Sequence, residues 1–257
     1  MGLLDGRLCI VTGAGQGLGW AVASEMAAER ASVHLIDRDA GALADAVVAI
    51  RAAGGRATGH VLDVTDRPAL AAAVAAAADE GPIHALINNA GINPPPAPLL
   101  DERDEDWDRT LAVNLRAVRD ASRLVAARMV ETGGGRIVHV SSVQGFVSSG
   151  LCGSYNAAKG ALIALTKSMA VELGPHGILV NAVAPGFLRT AMSMVDGVDE
   201  TTTPEFRQWY IDRGRIPLRR AGAPEDVAGT IVFLCSDLCR WMTGAVLVVD
   251  GGMTATF

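Results

Sequence analysis

Tyr155 and Lys159 stand four residues apart in the stretch Ser142 to Lys159, SVQGFVSSGLCGSYNAAK, which brings a hydroxyl, a phenol and an amine together. A helix starting near Ser154 puts both side chains on one face, about one turn apart. A phenol titrates near pH 10 and is a poor base at neutral pH, but an ammonium group beside it favours the phenolate and lowers that value. Tyr155 can then exchange a proton at working pH. Ser142 ends a strand-like run, RIVHVSS, from which its hydroxyl can donate to a substrate oxygen while Tyr155 moves the proton. Exposed helices carry many Tyr and Lys at this spacing, so the weight of the pair depends on the rest of the chain.

The composition sets the frame. With 257 residues, half of them apolar, the chain suits an α/β fold with a sizeable core. The formal charge is −6 and no basic block occurs, so an electrostatic footprint for nucleic acid or an anionic membrane is absent, whereas small neutral or cationic ligands stay open. Cys9, Cys152, Cys235 and Cys239 lack Cys-x-x-Cys spacing and read as free thiols, and the five histidines follow no metal-binding spacing. No metal site is expected. No secretory signal and no apolar run of membrane-spanning length precedes or interrupts the pattern, which makes a cytoplasmic protein the expectation.

The elements that must position Ser142, Tyr155 and Lys159 alternate between strand and helix. The run Leu8 to Thr12 is short and β-branched, stops at GAGQGLG, and is followed by the helical pattern Trp20 to Arg30. Gly13, Gly17 and Gly19 permit a tight turn that brings backbone N–H groups and a helix N-terminus against an anion, a seat for pyrophosphate. Their spacing is Gly-x-x-x-Gly-x-Gly, not the usual Gly-x-Gly-x-x-Gly. A second strand, Val33 to Ile36, ends in Asp37, where a carboxylate can accept from both ribose hydroxyls of an adenosine. A 2′-phosphate there meets like charge, which favours NAD over NADP, with Arg38 offsetting part of the repulsion.

Further strands read as Ala57 to Leu62, ending in Asp63, and Ala85 to Ile87, running into Asn88-Asn89-Ala90-Gly91. The longest helical pattern, Asp104 to Met129, carries Asn114 in its interior, a position that is usually solvent-facing. A helix from about Ser154 to Leu173 stops at Gly174-Pro175, Ile178 to Val183 forms a strand stopping at Pro185-Gly186, and Phe187 to Gly214 reads as an irregular loop of lid type. Helix Pro224 to Leu234 and strand Val246 to Val249 close the pattern. This order argues for a mainly parallel sheet with helices on both faces and no domain boundary over residues 1–257.

Taken in order, these motifs resemble the short-chain dehydrogenase/reductase family across essentially the whole chain. The resemblance rests on the glycine turn Thr12 to Gly19, Asp63-Val64, Asn88 to Gly91, Asn114, Ser142, Tyr155-x-x-x-Lys159 and Pro185-Gly186. It implies a single-domain Rossmann fold with a seven-stranded parallel sheet of order 3-2-1-4-5-6-7. It also implies a catalytic tetrad of Asn114, Ser142, Tyr155 and Lys159, in which Asn114 holds a relay water and Lys159 lowers the Tyr155 pKa while binding the nicotinamide ribose. The dinucleotide contacts it implies are Gly13, Gln16, Gly17, Leu18 and Gly19 in the turn, Asp37, Asp63, Val64 and Asn89 around the adenosine, and Pro185, Leu188 and Thr190 near the carboxamide. Gln16 stands where NADP-using members often carry a basic residue.

What this implies is an NAD-dependent oxidoreductase moving a hydride between nicotinamide and a secondary alcohol, most plausibly a small polyol or sugar-derived one. The alternative is a 3-oxoacyl thioester reductase. Against it stand Asp37 and the acidic or neutral residues Glu131 to Gly134 and Val171-Glu172 at the helix ends, where reductases that dock an acidic carrier protein tend to carry Arg. A dinucleotide-sensing scaffold has little reason to keep four polar residues together, and sugar-nucleotide epimerases generally need a further C-terminal domain. Asn93, Pro94, Gln144 and Cys152 are expected to bound a small-molecule pocket under the loop Arg189 to Gly214, where Gln144 and Asn93 offer hydrogen bonds to hydroxyls and Phe187, Met192, Met194 and Trp209 could equally line an apolar slot, so polar and hydrophobic alcohols both fit the composition. The helices from Asp104 and Ser154 carry surplus apolar positions, and in the resembling family they pair across a two-fold axis, so a homotetramer is expected.

Overall fold

The computed structural model describes residues 2–148, 150–195 and 197–255. Ser149 in the Ser142 to Lys159 stretch, Asp196 in the expected lid, and positions 1, 256 and 257 of the expected domain lie outside the described residues. Among the described residues no helix is long and apolar enough to cross a membrane, and no group of three or more His, Cys, Asp or Glu could hold a metal ion.

The chain alternates strand and helix: β1 (Leu8–Thr12), α1 (Gly17–Ala28), β2 (Ser32–Asp37), α2 (Ala40–Ala52), β3 (Arg56–Val61), α3 (Arg67–Glu80) and β4 (Ile83–Asn88). Next come α4 (Asp104–Leu111), a π-helical segment (Ala112–Ala117), α5 (Val118–Thr132), β5 (Gly135–Val140), α6 (Gly153–Leu173) and β6 (Ile178–Pro185). A two-stranded ribbon, β7 (Met194–Val195) and β8 (Val198–Asp199), precedes α7 (Pro204–Phe206), a second π-helical segment (Arg207–Asp212), α8 (Glu225–Cys235) and β9 (Val246–Val249). The main sheet is seven-stranded with order β3-β2-β1-β4-β5-β6-β9, all its pairs parallel, and the β7–β8 ribbon lies outside it. Counted within the sheet, this is the expected order 3-2-1-4-5-6-7.

Side chains alternate along each strand, so one strand feeds two cores. In β1, Cys9 and Val11 pack with Val22 and Met26 of α1, Leu43 of α2 and Ile231 of α8. Leu8 and Ile10 point the other way, towards Leu70 and Val74 of α3, Val125 and Met129 of α5 and Met169 of α6. Helix starts are fixed by acidic caps: the Asp39 carboxylate accepts from the N–H of Gly41 and Ala42 at 3.0 Å each, and Asp66 accepts from Ala69 at 3.1 Å. Gly133, at φ 91°, takes the left-handed conformation that ends α5.

Two stretches differ from expectation. The helix read over Asp104 to Met129 is broken by the π-helical segment, and Asn114 within it is fully buried rather than solvent-facing. The reason is local: its amide is taken up by the backbone of Ile92. The stretch 187–214 is more regular than an open loop, because Phe187, Phe206 and Tyr210 cluster with ring centroids 4.6–5.1 Å apart and give it a small core.

Candidate active site

The C-terminal ends of the parallel strands converge on a cavity of about 1160 Å³. Such ends, at the crevice where strand order reverses between β1 and β4, are where open α/β sheets bind ligands. Ser142, Tyr155 and Lys159 all line it, together with Gly13, Gln16, Gly17, Leu18, Asp37, Asp63, Val64, Asn89, Pro185, Leu188 and Thr190. Of the expected substrate-side residues, Asn93, Pro94, Gln144, Phe187, Met192, Met194 and Trp209 line it as well. Asn114, Gly19 and Cys152 are not among its lining residues.

The glycine turn is shaped by close packing. A Cβ at Gly13 would lie 2.8 Å from the Ala90 Cα, and Gly13 has φ +64°, while a Cβ at Gly19 would overlap the Gly13 carbonyl. Asn89 secures the turn from β4, its Nδ2 donating to the carbonyls of Thr12 and Gly13 at 3.0 and 2.9 Å. Helix α1 begins at Gly17 with no side-chain cap from Gln16, and among the described residues no side chain accepts from its first N–H groups. Open N–H donors behind a glycine turn, with a carboxylate at the end of β2, fit a dinucleotide pyrophosphate and ribose. Asp37 also has a structural task, since its Oδ2 accepts from Gly15 N–H at 2.9 Å and its Oδ1 from Asp39 N–H at 3.0 Å. Asp63 is held by the Thr65 N–H and hydroxyl at 2.9 and 2.7 Å, and these bonds keep its carboxyl below the ordinary value.

The polar trio is presented by β5 and α6. Ser142 follows β5 and accepts from Gln144 N–H at 3.1 Å. Tyr155 and Lys159 lie on the buried face of α6, as their spacing requires, with Lys159 Nζ 5.5 Å from the Tyr155 ring centroid. Lys159 Nζ donates to the Val140 carbonyl at 2.8 Å, and Ser141 Oγ donates to the Lys159 carbonyl at 3.0 Å, so strand and helix are stitched at this point. The expectation of a lowered Tyr155 pKa is corrected here: burial pushes the phenol up to about 12, only partly opposed by its interaction with Ser142. Lys159 is itself drawn down to about 8 by burial. Desolvation penalises both charged forms, and it outweighs the attraction that the i, i+4 spacing suggests. The Tyr155 phenol therefore carries its proton at neutral pH.

Asn114 stands behind the trio. Its Nδ2 donates to the Ile92 carbonyl and its Oδ1 accepts from the Ile92 N–H, both at 2.8 Å. A Cβ at Gly91 would lie 3.3 Å from Asn114 Oδ1 and 3.7 Å from Lys159 Nζ, which puts both groups beside the same glycine.

A second buried network lies beneath. Asn88 Nδ2 donates to Ser122 Oγ at 3.0 Å, Ser122 Oγ lies 3.3 Å from His139 Nε2, and His139 Nδ1 lies 2.9 Å from Thr166 Oγ1, which donates to the Leu162 carbonyl at 2.8 Å. Burial, with the nearby Lys159 charge, draws His139 down to about 3. The sequence reading put His139 in a strand and assigned it nothing. It placed Arg38 beside Asp37 but did not single out Glu200, Tyr210, Arg215, Met253 and Thr254 as cavity residues. Only the fold brings the last two, past the seventh strand of the sheet, to the same crevice.

Comparison with known proteins supplies the family. A family model described as enoyl-(acyl carrier protein) reductase matches residues 13–254. The chain is 41% identical over 247 residues to the short-chain reductase protein NovJ of Streptomyces niveus, covering 95% of this chain and 93% of that one. It is 40% identical to gluconate 5-dehydrogenase of Gluconobacter oxydans, covering 98% and 96%, and 38% identical to a galactitol 2-dehydrogenase of Cereibacter sphaeroides, covering 98% and 96%. A crystal structure of a gluconate 5-dehydrogenase from Burkholderia cenocepacia, in complex with NADP and tartrate, superposes with a TM-score of 0.91 at 32% identity, covering 99% of this chain and 97% of that one.

Proposed function

The chain belongs to the short-chain dehydrogenase/reductase family and is an NAD(P)-dependent oxidoreductase, and from that premise we propose that it carries out NAD-linked oxidation of a small polyol or sugar-derived secondary alcohol, with the ketone reduced in reverse. One observation carries the reading: Ser142, Tyr155 and Lys159 line the same cavity as the glycine turn and Asp37. When bound, the dinucleotide supplies the hydride acceptor or donor.

In this reading the protein's own residues manage the proton. The Ser142 hydroxyl orients the substrate oxygen. Tyr155, protonated at neutral pH, gives its proton to the ketone oxygen in reduction; in oxidation the phenol must first release its proton to solvent, so that the phenolate can take up the proton of the alcohol. Lys159, beneath the Tyr155 ring, offsets the phenolate charge at the moment it forms. Asn114 holds the Gly91–Ile92 backbone, and so shapes the wall of the cavity. Asp37 favours NAD through repulsion of a 2′-phosphate. The relatives named above that act on gluconate and galactitol support a polyhydric substrate, while 38% identity to a 3-oxoacyl-[acyl-carrier-protein] reductase of Thermotoga maritima keeps thioester reduction as the rival. Assembly as a homotetramer is part of the proposal, supported by the exposed Val130 of α5 and Val171 of α6.

The test is a side-by-side assay of polyols, cyclic and aliphatic secondary alcohols, and acetoacetyl thioesters with both cofactors. The expected result is the highest kcat/KM for a polyol with NAD. A thioester reduced best with NADPH overturns the assignment.

A further inference from the structure

The strand that leads to Ser142 grips α6 residue by residue. His139 Nδ1 lies 2.9 Å from Thr166 Oγ1, the Val140 carbonyl accepts from Lys159 Nζ at 2.8 Å, and Ser141 Oγ donates to the Lys159 carbonyl at 3.0 Å. Ser142 is the next residue and lines the cavity. Thr166 stands about two helical turns beyond Lys159, on the buried face of α6 that carries Tyr155. Two of the three bonds meet α6 at Lys159, so they form one pivot. The His139 bond holds the helix further along its length, where it opposes sliding and tilting about that pivot.

The protons in this link have one consistent direction. Thr166 Oγ1 gives its single hydrogen to the Leu162 carbonyl at 2.8 Å, so towards His139 it can only accept, and His139 Nδ1 carries a hydrogen. On the other side, Ser122 Oγ accepts from Asn88 Nδ2 at 3.0 Å and lies 3.3 Å from His139 Nε2, which takes the Ser122 hydrogen. The ring is therefore the neutral Nδ1–H tautomer, and burial, which draws its pKa down to about 3, keeps it so at neutral pH. Asn88 and His139 are direct partners across β4 and β5, and Ser122, His139 and Thr166 are fully buried. No bulk water stands ready to replace a lost member of such a chain.

We infer that His139 is a positioning residue for the reaction: its Nδ1–H to Thr166 fixes the register of α6 on β5, and so the place of the Tyr155 phenol against the Ser142 hydroxyl. This rests on the secondary-alcohol reading above, in which those two groups handle the substrate oxygen. His139 touches neither substrate nor cofactor in it. Its effect is carried by Thr166 and the helix, and a small misplacement of reacting groups is enough to cost much of the rate.

The experiment compares two variants that each remove one of the ring's two bonds. In His139→Asn the amide nitrogen falls where Nδ1 stood, which keeps the donor to Thr166 and leaves Ser122 without its acceptor. In His139→Gln the longer amide reaches the Nε2 side, which keeps an acceptor for Ser122 and loses the donor to Thr166. Each loses one buried bond, so both should be destabilised to a similar degree in urea unfolding. Turnover is read with NAD and whichever of galactitol, gluconate and cyclohexanol the wild type oxidises fastest, well below the unfolding temperature. The expected kcat is within about threefold of wild type for His139→Asn and lower by roughly tenfold or more for His139→Gln. NADH affinity should change by less than about threefold in both, because Asn89 holds the glycine turn through its own bonds. Thr166→Ser, which keeps the hydroxyl, and Thr166→Val, which removes it, should repeat the contrast from the other side of the link, and they decide the matter alone if His139→Gln does not fold. Turnover that follows stability, falling equally in both members of a pair, or that is unmoved by losing the Thr166 link, overturns the inference and leaves the broader reading standing. If the wild type oxidises no secondary alcohol, the broader reading falls and this inference with it.

Discussion

Asp37 and Gly15 are joined across the glycine turn: the carboxylate that ends β2 accepts from the Gly15 N–H at 2.9 Å. The same side chain that would meet the adenosine ribose thus also braces the loop before α1. Asp37→Ala is therefore expected to weaken both cofactors through a looser turn, but to weaken NADP less, because repulsion of the 2′-phosphate goes with the carboxylate. The wild-type preference for NAD in kcat/KM should shrink by roughly 10- to 100-fold, equivalent to about 1 to 3 kcal/mol. Equal kinetics with NAD and NADP in the wild type would refute this.

Tyr155→Phe removes only the phenolic oxygen from a buried ring. Turnover should fall at least ~10²-fold while NADH affinity, read by fluorescence titration, changes little. Near-normal turnover in this variant removes Tyr155 from the proton transfer.

The alternating strands and helices, and the residues at the glycine-turn end of the cavity, were legible in the sequence because they depend on short-range signals, whereas the sheet order came with the family resemblance. Strands end at glycine turns, Asp37 and Asp63 fall at strand ends, and Tyr155 and Lys159 share a helix face by spacing alone. What was not legible depends on long-range placement. Asn114 looked like a poor helix residue with solvent as its natural partner, and only the approach of Ile92 supplies the backbone groups that bury it. The direction of the Tyr155 shift turns on burial, which spacing does not report. Glu200 and Arg215 were not singled out as cavity residues, because the length and irregularity that mark Arg189 to Gly214 as a lid do not tell which charges in or beside it line the cavity.

Asn114→Ala leaves the N–H and carbonyl of Ile92 without their partner. The expected loss is about 2 to 4 kcal/mol of stability in urea unfolding, accompanied by lower turnover, because Gly91 and Ile92 line the cavity. A variant matching the wild type in both would show that the Ile92 backbone finds equivalent partners.

His139 should make the protein acid-labile. Its folded pKa is about 3 and its ordinary value 6.5, so between those limits the unfolded chain binds a proton that the folded chain refuses. Stability therefore falls as pH drops through this window, by up to about 1.4 kcal/mol per pH unit from this one group. His139→Gln should flatten the slope of unfolding free energy against pH between about 5.5 and 4. An unchanged slope would mean that His139 charges in the fold.

The central claim is that hydride passes directly between a carbinol carbon and the nicotinamide while Tyr155 handles the proton. The most direct measurement uses a secondary alcohol deuterated at the carbinol carbon, with the reduced cofactor analysed by NMR after turnover. The account predicts that the deuterium is recovered at nicotinamide C4 and that oxidation by Tyr155→Phe, though slow, transfers it to the same position. Deuterium released to water, or alcohol consumed with no label in the cofactor, would contradict it.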